Sequence, residues 1–205
     1  MKPMAPFPVV FSAAVEGPTD EVVLRRVVES RGAVLGPVFG KTGKSNLLNQ
    51  LHRYNRAANL SPWIVLLDLD QDAGCAPSAR AAWLTTLAPQ MCFRIAVRAV
   101  ESWLLADRES LAAFLSISGS LIPATPESLS NPKETLVNLA RRSRRRTLRE
   151  EMTPRPGSGR PIGPAYTSRL IEFAQTQWRP DVASHHSDSL RRFCSRITEL
   201  IGNQA

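Results

Sequence analysis

Cysteine, histidine and long apolar runs are all scarce in this 205-residue chain, and each shortage excludes something. The three cysteines, Cys75, Cys92 and Cys194, are odd in number, far apart and without CxxC spacing. They predict neither a disulfide framework nor a cysteine zinc site, and fit the reduced thiols of a cytoplasmic protein. His52, His185 and His186 show no metal-ligand spacing with cysteine or carboxylate, and no Ser-His-Asp arrangement follows from the sequence. No apolar run is long enough to cross a membrane, so no membrane association is expected. The opening "MKPMAPFPVVFSAAVEG" has a faint signal-peptide look. However, Pro3, Pro6 and Pro8 suit an h-region helix poorly, and "PVVFSAAV" reads equally well as a buried strand.

What is present suits a globular domain: 43% hydrophobic and 21% charged residues, enough for a sizeable core. The net charge of +8 is unevenly placed. Residues 1–130 carry 12 basic and 11 acidic side chains, and residues 131–205 carry 14 and 7. An excess confined to the last third fits a polyanion contacted by that part. It equally fits the coding bias of a GC-rich genome, since 22 of the 26 basic residues are arginine.

Four short apolar runs, 9–15, 33–39, 63–70 and 91–97, alternate with segments of helical spacing such as "TDEVVLRRVVES" and "SNLLNQLHRYNRAA", the latter with Ser45 as a plausible cap. Such alternation predicts βα units and a largely parallel sheet. Beyond about residue 100 the chain reads as helices and loops. "ESWLLADRESLAAFL" is helical; "NPKETLVNLARRSRRR" opens on a capping box with Asn131 as cap and Glu134 closing it; "TPRPGSGRPIGP" is a broken loop; two helices follow near 166–176 and 188–201.

The stretch "GPVFGKTGKSN" offers two Gly-Lys-hydroxyl triplets, with a Walker-B-like partner in "WIVLLDLD". A phosphate-binding loop needs a glycine five positions before the glycine of the triplet, so that backbone N–H groups wrap the phosphates. Leu35 and Val38 occupy those positions. A Gly-rich turn before a helix is the better reading, with Lys41 or Lys44 still available to a phosphate.

Acidic residues at the strand ends give the stronger signal. Glu16 and Asp20 follow the first run, and Asp68 and Asp70 end the third. Strand alternation predicts Asp68 and Asp70 on one face with Leu69 opposite. In a parallel sheet the carboxyl ends share one edge, so the four acids converge there. Like charges crowded together raise each other's pKa, and a hard divalent cation, Mg²⁺ or Mn²⁺, relieves that cost. Gly17-Pro18 predicts a sharp turn open to a ligand. The plainer reading of Asp-x-Asp is a cap or turn, which suits Asp72, and Glu21 reads as a first-turn helix charge.

"VVFSAAVEGPTDEVVL" followed by "WIVLLDLDQD" resembles the Toprim domain of topoisomerases, bacterial primases and the nucleases of the overcoming-lysogenization-defect kind. "VRAVESWLLAD", "NPKETL" and a closing pattern of Tyr166, Phe173, Trp178, Pro180, Ala183, Ser187, Ser189, Leu190 and Arg191 resemble a small bacterial Toprim-like family of unassigned function. The resemblance implies an α/β fold, a Toprim-like parallel sheet flanked by helices with a helical C-terminal extension. It implies Mg²⁺ or Mn²⁺ for phosphodiester chemistry, with Asp68, Asp70 and Asp20 as metal ligands and Glu16 as a second-metal ligand or general acid/base. Glu101 would complete the second ligand set, although its plainer role is a helix N-terminal charge. Lys133 would neutralise transition-state charge, although a solvated helix-start lysine is the simpler reading. Two ions about 4 Å apart would activate water and stabilise the leaving oxygen. Members of that family look like companions of ABC-type or AAA-type ATPases in phage defence.

The remaining feature is "RRSRRRTLRE". Arg141, Arg142, Arg144, Arg145, Arg146 and Arg149 are too dense for one helix face and exceed what a helix C-terminus needs. They predict a sequence-blind, salt-dependent surface for DNA or RNA, to which Arg25, Arg26, Arg94 and Arg98 could add, the last two alternatively pairing with the acids. The expected organisation is a catalytic domain over 1–115 and a helical, basic extension over 116–205 packed on it. The expected function is a metal-dependent nuclease. The alternatives are a non-catalytic metal- and nucleic-acid-binding subunit of an ATPase complex, and an NTPase using residues 36–45.

Overall fold

The structure, a computed structural model, describes residues 7–72 and 74–204. Lys2, Pro3 and Pro6 lie outside the described residues. Each of the four apolar runs supplies a strand: β1 (Val10–Val15), β2 (Val34–Gly40), β3 (Trp63–Asp68) and β4 (Met91–Ala96). They form one all-parallel sheet in the order β2-β1-β3-β4. Helices α1 (Pro18–Ser30), α2 (Lys44–Ala57) and α3 (Ala76–Trp83) alternate with the strands. After β4 come α4 (Val100–Ala106), α5 (Arg108–Leu115), α6 (Pro132–Arg141), α7 (Arg146–Met152), α8 (Tyr166–Thr176), α9 (Pro180–Ser184) and α10 (Asp188–Gly202). The fold is α/β, a parallel sheet flanked by helices with a helical C-terminal region. No helix among the described residues is long and apolar enough to cross a membrane.

Strand alternation divides the core in two. Phe11, Ala13, Val15, Ile64, Leu66 and Cys92 face α1 and the later helices. Ala14, Val65, Leu67, Phe93 and Ile95 face the side of α2 and α3 with Leu47, Leu51 and Ala79. Both faces are covered, which is why the strands read as continuous apolar runs. The first core continues through Trp103, Phe173, Trp178 and Phe193 to Leu200, so segments 1–115 and 116–205 share it. Its two fully buried indoles have partners: Trp103 donates to Ser189 Oγ at 2.7 Å, and Trp178 donates to the Trp103 carbonyl at 3.1 Å. Leaving either indole N–H buried without such a partner would cost about 1–3 kcal/mol.

Three local expectations change. The run "ESWLLADRESLAAFL" breaks at Asp107, whose carboxylate caps α5 through Ser110 N and accepts from Arg179 N, Nε and Nη2. A fully buried carboxylate needs that many donors, and supplying them bends the chain. Ser45 is not a cap: Gly43 holds the N-cap of α2 at φ 89°, and Ser45 lies inside the first turn. The short helices α7 and α9 add to the helices expected after residue 100. Asn131 does cap α6, accepting from Glu134 N at 3.0 Å and donating to the Glu134 carboxylate at 3.2 Å.

The order of strands positions the site. From β1 the chain steps outward to β2, then returns past β1 to β3. The connections at the carboxyl ends of β1 and β3 therefore diverge, and an open α/β sheet has its crevice at such a point.

Candidate functional site

Glu16 directly follows β1, and Asp68 is the last residue of β3. Glu16 Oε1 accepts from Asp68 N at 2.7 Å, a bond across the crevice mouth. Asp68 Oδ1 in turn accepts from Val100 N at 2.9 Å, tying the end of β3 to the first turn of α4. The next residue of that turn is Glu101, only 5% exposed. Asp20, in the first turn of α1, accepts from Gly17 N through Oδ2 at 2.7 Å, the reciprocal half of a capping box. Gly17 is extended at φ −150° with room for a Cβ, so this turn does not itself require glycine.

Electrostatics joins these four acids. Burial raises the Glu16 carboxyl, held back in part by its bond from Asp68 N–H. Burial pushes Asp20 up to about 7; its Gly17 hydrogen bond opposes the rise, and neighbouring Glu101 and Glu16 add to it. Asp68 is driven well above the carboxylate range by burial first, then by Asp20, Glu101, Glu16 and Asp70. Burial raises Glu101 too, opposed chiefly by Lys133, whose Nζ lies 3.8 Å from Glu101 Oε1. Lys133 is half exposed at the start of α6, so it sits between the buried acids and solvent.

Asp70 stands at the edge of the cluster, close enough to raise Glu16, Asp68 and Glu101. The strand ends at Asp68, and Asp70 adopts a left-handed backbone, φ 50°. Alternation holds only while the chain stays extended. Asp70 instead meets Lys44 Nζ at 2.5 Å, and Asp72 meets the same ammonium at 2.8 Å. Leu69 is buried on the opposite face as expected. Asp68, Asp70, Arg98, Asn131 and Lys133 still line one open cleft of about 210 Å³. Structure thus brings together Glu16, Asp20, Asp68, Glu101 and Lys133, with Asp70 at the rim.

The donor set suits a hard divalent cation in its chemistry. Glu16, Asp20 and Asp68 each engage one oxygen with a backbone N–H, which fixes the carboxylate, and among the described contacts the second oxygen of each accepts nothing. Lys133 offsets Asp20 and Glu101, and Lys44 offsets Glu16. The acids are neighbours, however, not a closed ligand shell: among the described residues no group of three or more His, Cys, Asp or Glu is gathered to encircle an ion.

No protein-family model, characterised protein or solved structure matches this chain. The site therefore stands on its own geometry.

The glycine-lysine stretch does not form a phosphate-wrapping loop. Gly36 lies inside β2, and only Lys41, Thr42 and Gly43 separate β2 from α2. Lys41 is bonded to Glu21 at 2.9 Å, and Lys44 is held by the two aspartates. Gly40 is required for packing, since a Cβ there would lie 2.4 Å from the Val15 carbonyl.

The arginine segment wraps a corner. Arg141 ends α6, Ser143 is buried in the turn, and Arg146 begins α7. Arg141, Arg142, Arg144, Arg145 and Arg146 are exposed, while Arg149 donates inward to the Ser143 carbonyl. This corner sits at the far end of the ten-residue α6 from Lys133, about 15 Å away along the axis. Arg25, Arg26 and Arg94 instead donate to the carbonyls of Leu35, Trp178 and Arg192, so none of them pairs with the site acids in these bonds. Arg98 donates to the Asp70 carbonyl.

Tyr166 belongs to the site without having been expected there. Its buried hydroxyl makes no hydrogen bond within ordinary limits, and burial together with nearby Glu101 raises the phenol above its usual range. The available signal was its place in the closing sequence pattern.

Proposed function

We propose that the protein is a divalent-metal-dependent nuclease or related phosphodiester hydrolase of Toprim type. The observation that carries this reading is the cluster of four carboxylates at the crevice between β1 and β3, Asp20 and Glu101 buried and Glu16 and Asp68 half-buried. Burial and mutual repulsion raise all four in spite of Lys133 and Lys44 nearby, and such an arrangement needs a cation or protons. The resemblance of the segments around Glu16 and Asp68 to Toprim motifs supports the same reading.

In this reading Mg²⁺ or Mn²⁺ is held by Asp68, Asp20 and Glu16, with Glu101 and rim Asp70 available to a second ion. A bound ion would supply an activated water and charge stabilisation at the phosphodiester. The chain's own residues do the rest. Backbone N–H groups of Gly17, Asp68 and Val100 orient the carboxylates. Lys133, at the cleft wall, places positive charge where a scissile phosphate would enter. The exposed arginines one helix-length away hold the phosphate backbone without reading its sequence. At 3.4 Å per phosphate along one strand, about 15 Å is spanned by roughly four or five nucleotides. An ABC-type or AAA-type ATPase partner and a phage-defence setting belong to this proposal through the resemblance alone.

A second reading, a non-catalytic metal- and nucleic-acid-binding subunit, is favoured by the open ligand shell and by the backbone bonds of the acids, which also serve as caps. Asp68→Asn separates the two. A nuclease loses cleavage in this variant while keeping nucleic-acid affinity. A binding subunit shows no cleavage with Mg²⁺ or Mn²⁺ even as wild type.

A further inference from the structure

A separate cavity of about 460 Å³ lies along β4, the outer strand of the sheet, between the start of α3 and the start of α10. Four arginines from different parts of the chain line it: Arg80 on α3, Arg94 in β4, Arg98 just after it, and Arg192 on α10. Its accessible apolar lining is Pro77 and Val97, above the buried Leu69, Phe93 and Ile95 of the core beneath α3.

Among the described residues neither Arg80 nor Arg94 is paired with an acid, whereas Arg192 is held by Asp188. Glu127 and Asp188 also line the cavity, but both are engaged: Glu127 Oε1 accepts from Ser187 and Ser189, and Asp188 holds Arg191 and Arg192. Arg94 Nη2 donates to the Arg192 carbonyl at 3.0 Å, a bond that orients the guanidinium without neutralising it. Arg80 makes no hydrogen bond or ion pair among the described residues. Guanidinium groups above an apolar floor match a ligand that is anionic at one end and flat and apolar at the other.

We propose that this cavity binds a single phosphate-bearing nucleotide, its phosphate on Arg80 and Arg94 and its base against Pro77 and Val97. The ligand is either a free nucleotide or the phosphorylated end of a strand. The second source has a geometric rationale: Leu69 follows Asp68, and Arg98 bonds the Asp70 carbonyl, so cavity and acidic cleft share a wall. Apolar contact with the base and arginine–phosphate pairing together discriminate a nucleotide from a bare anion.

Binding is measured by calorimetry on the full chain at low salt with EDTA present. No cleavage is read, so failure of the hydrolase reading and failure of this one are distinguishable. Adenosine monophosphate binds wild type at least tenfold tighter than inorganic phosphate; Arg80→Ala weakens it about tenfold; Arg80→Glu abolishes it with an unchanged unfolding temperature. Two further ligands, a single-stranded hexanucleotide with and without a 5′-phosphate, identify the source. Affinity above that of the mononucleotide, dependent on the 5′-phosphate and on Arg80, assigns a strand end; equal affinity with or without that phosphate assigns the free nucleotide. The proposal is overturned if adenosine monophosphate binds no better than inorganic phosphate, if Arg80→Glu binds it like wild type, or if millimolar nucleotide does not bind.

Discussion

Replacing Asp20 by asparagine is expected to stabilise the metal-free protein above neutral pH and to leave it nearly unchanged in acid. Asp20 has its pKa raised from 3.8 to about 7, mainly by burial. A group whose folded-state pKa lies above its unfolded value contributes stability that is complete below the unfolded pKa and is lost as pH rises through the folded one. For Asp20 the loss runs from about pH 4 to about pH 7 and amounts to roughly 4 kcal/mol at full ionisation, at 1.36 kcal/mol per pKa unit. Asparagine is never charged, and its Oδ1 can keep the bond from Gly17 N. Exchanging a charge-assisted bond for a neutral one costs about 1 kcal/mol. The net gain at pH 8 is therefore about 2–3 kcal/mol, or about 4–12 °C in Tm for a chain of this size. The assay is thermal unfolding in EDTA at pH 4 and pH 8, repeated with 10 mM Mg²⁺. Wild type gains stability from Mg²⁺ at pH 8 and little at pH 4, where protons already hold the carboxylates; the variant gains little at either. An Asp20→Asn protein no more stable than wild type at pH 8, or stabilised equally at both pH values, refutes the reasoning.

Lys133→Ala should lower cleavage by on the order of 100-fold while changing nucleic-acid affinity little, and Lys133→Arg should recover part of the rate; single-turnover kinetics check this. Replacing Arg144, Arg145 and Arg146 by alanine should weaken duplex DNA binding and reduce the slope of log K against log salt by roughly 2–3, measured by anisotropy from 50 to 200 mM salt. Arg179→Ala leaves Asp107 buried without its charged partner, so urea unfolding should show a loss of about 3 kcal/mol with no change in the metal dependence of any activity. Lys44→Ala should leave nucleotide hydrolysis absent, as in wild type, because Lys44 is held by Asp70 and Asp72; hydrolysis by wild type that vanishes in this variant would restore the NTPase reading.

The sheet was legible because each strand is an apolar run bounded by turn residues, and both its faces are covered. The positions of Glu16 and Asp68 at one edge follow from parallel topology alone. The pairing of Asp70 with Lys44 was not legible, because period-2 alternation stops with the extended backbone and nothing in "LLDLDQD" announces the left-handed turn at φ 50°. The break at Asp107 depends on Arg179, 72 residues away, a partner no local pattern reveals. Glu101 and Lys133 entered through the family resemblance; their approach to 3.8 Å comes from α4 and α6 packing side by side. Tyr166 was visible as part of a pattern, but its approach to Glu101 was not, because only tertiary packing brings the two together.

The central claim is most directly tested by a cleavage assay on the purified protein. Supercoiled DNA and single-stranded RNA are offered with Mg²⁺, with Mn²⁺ and with EDTA, beside the Asp68→Asn/Asp70→Asn double variant. The account predicts metal-dependent cutting of one substrate by wild type and none by the variant, which still binds nucleic acid. Equal cutting by both proteins, or cutting that survives EDTA, would contradict it.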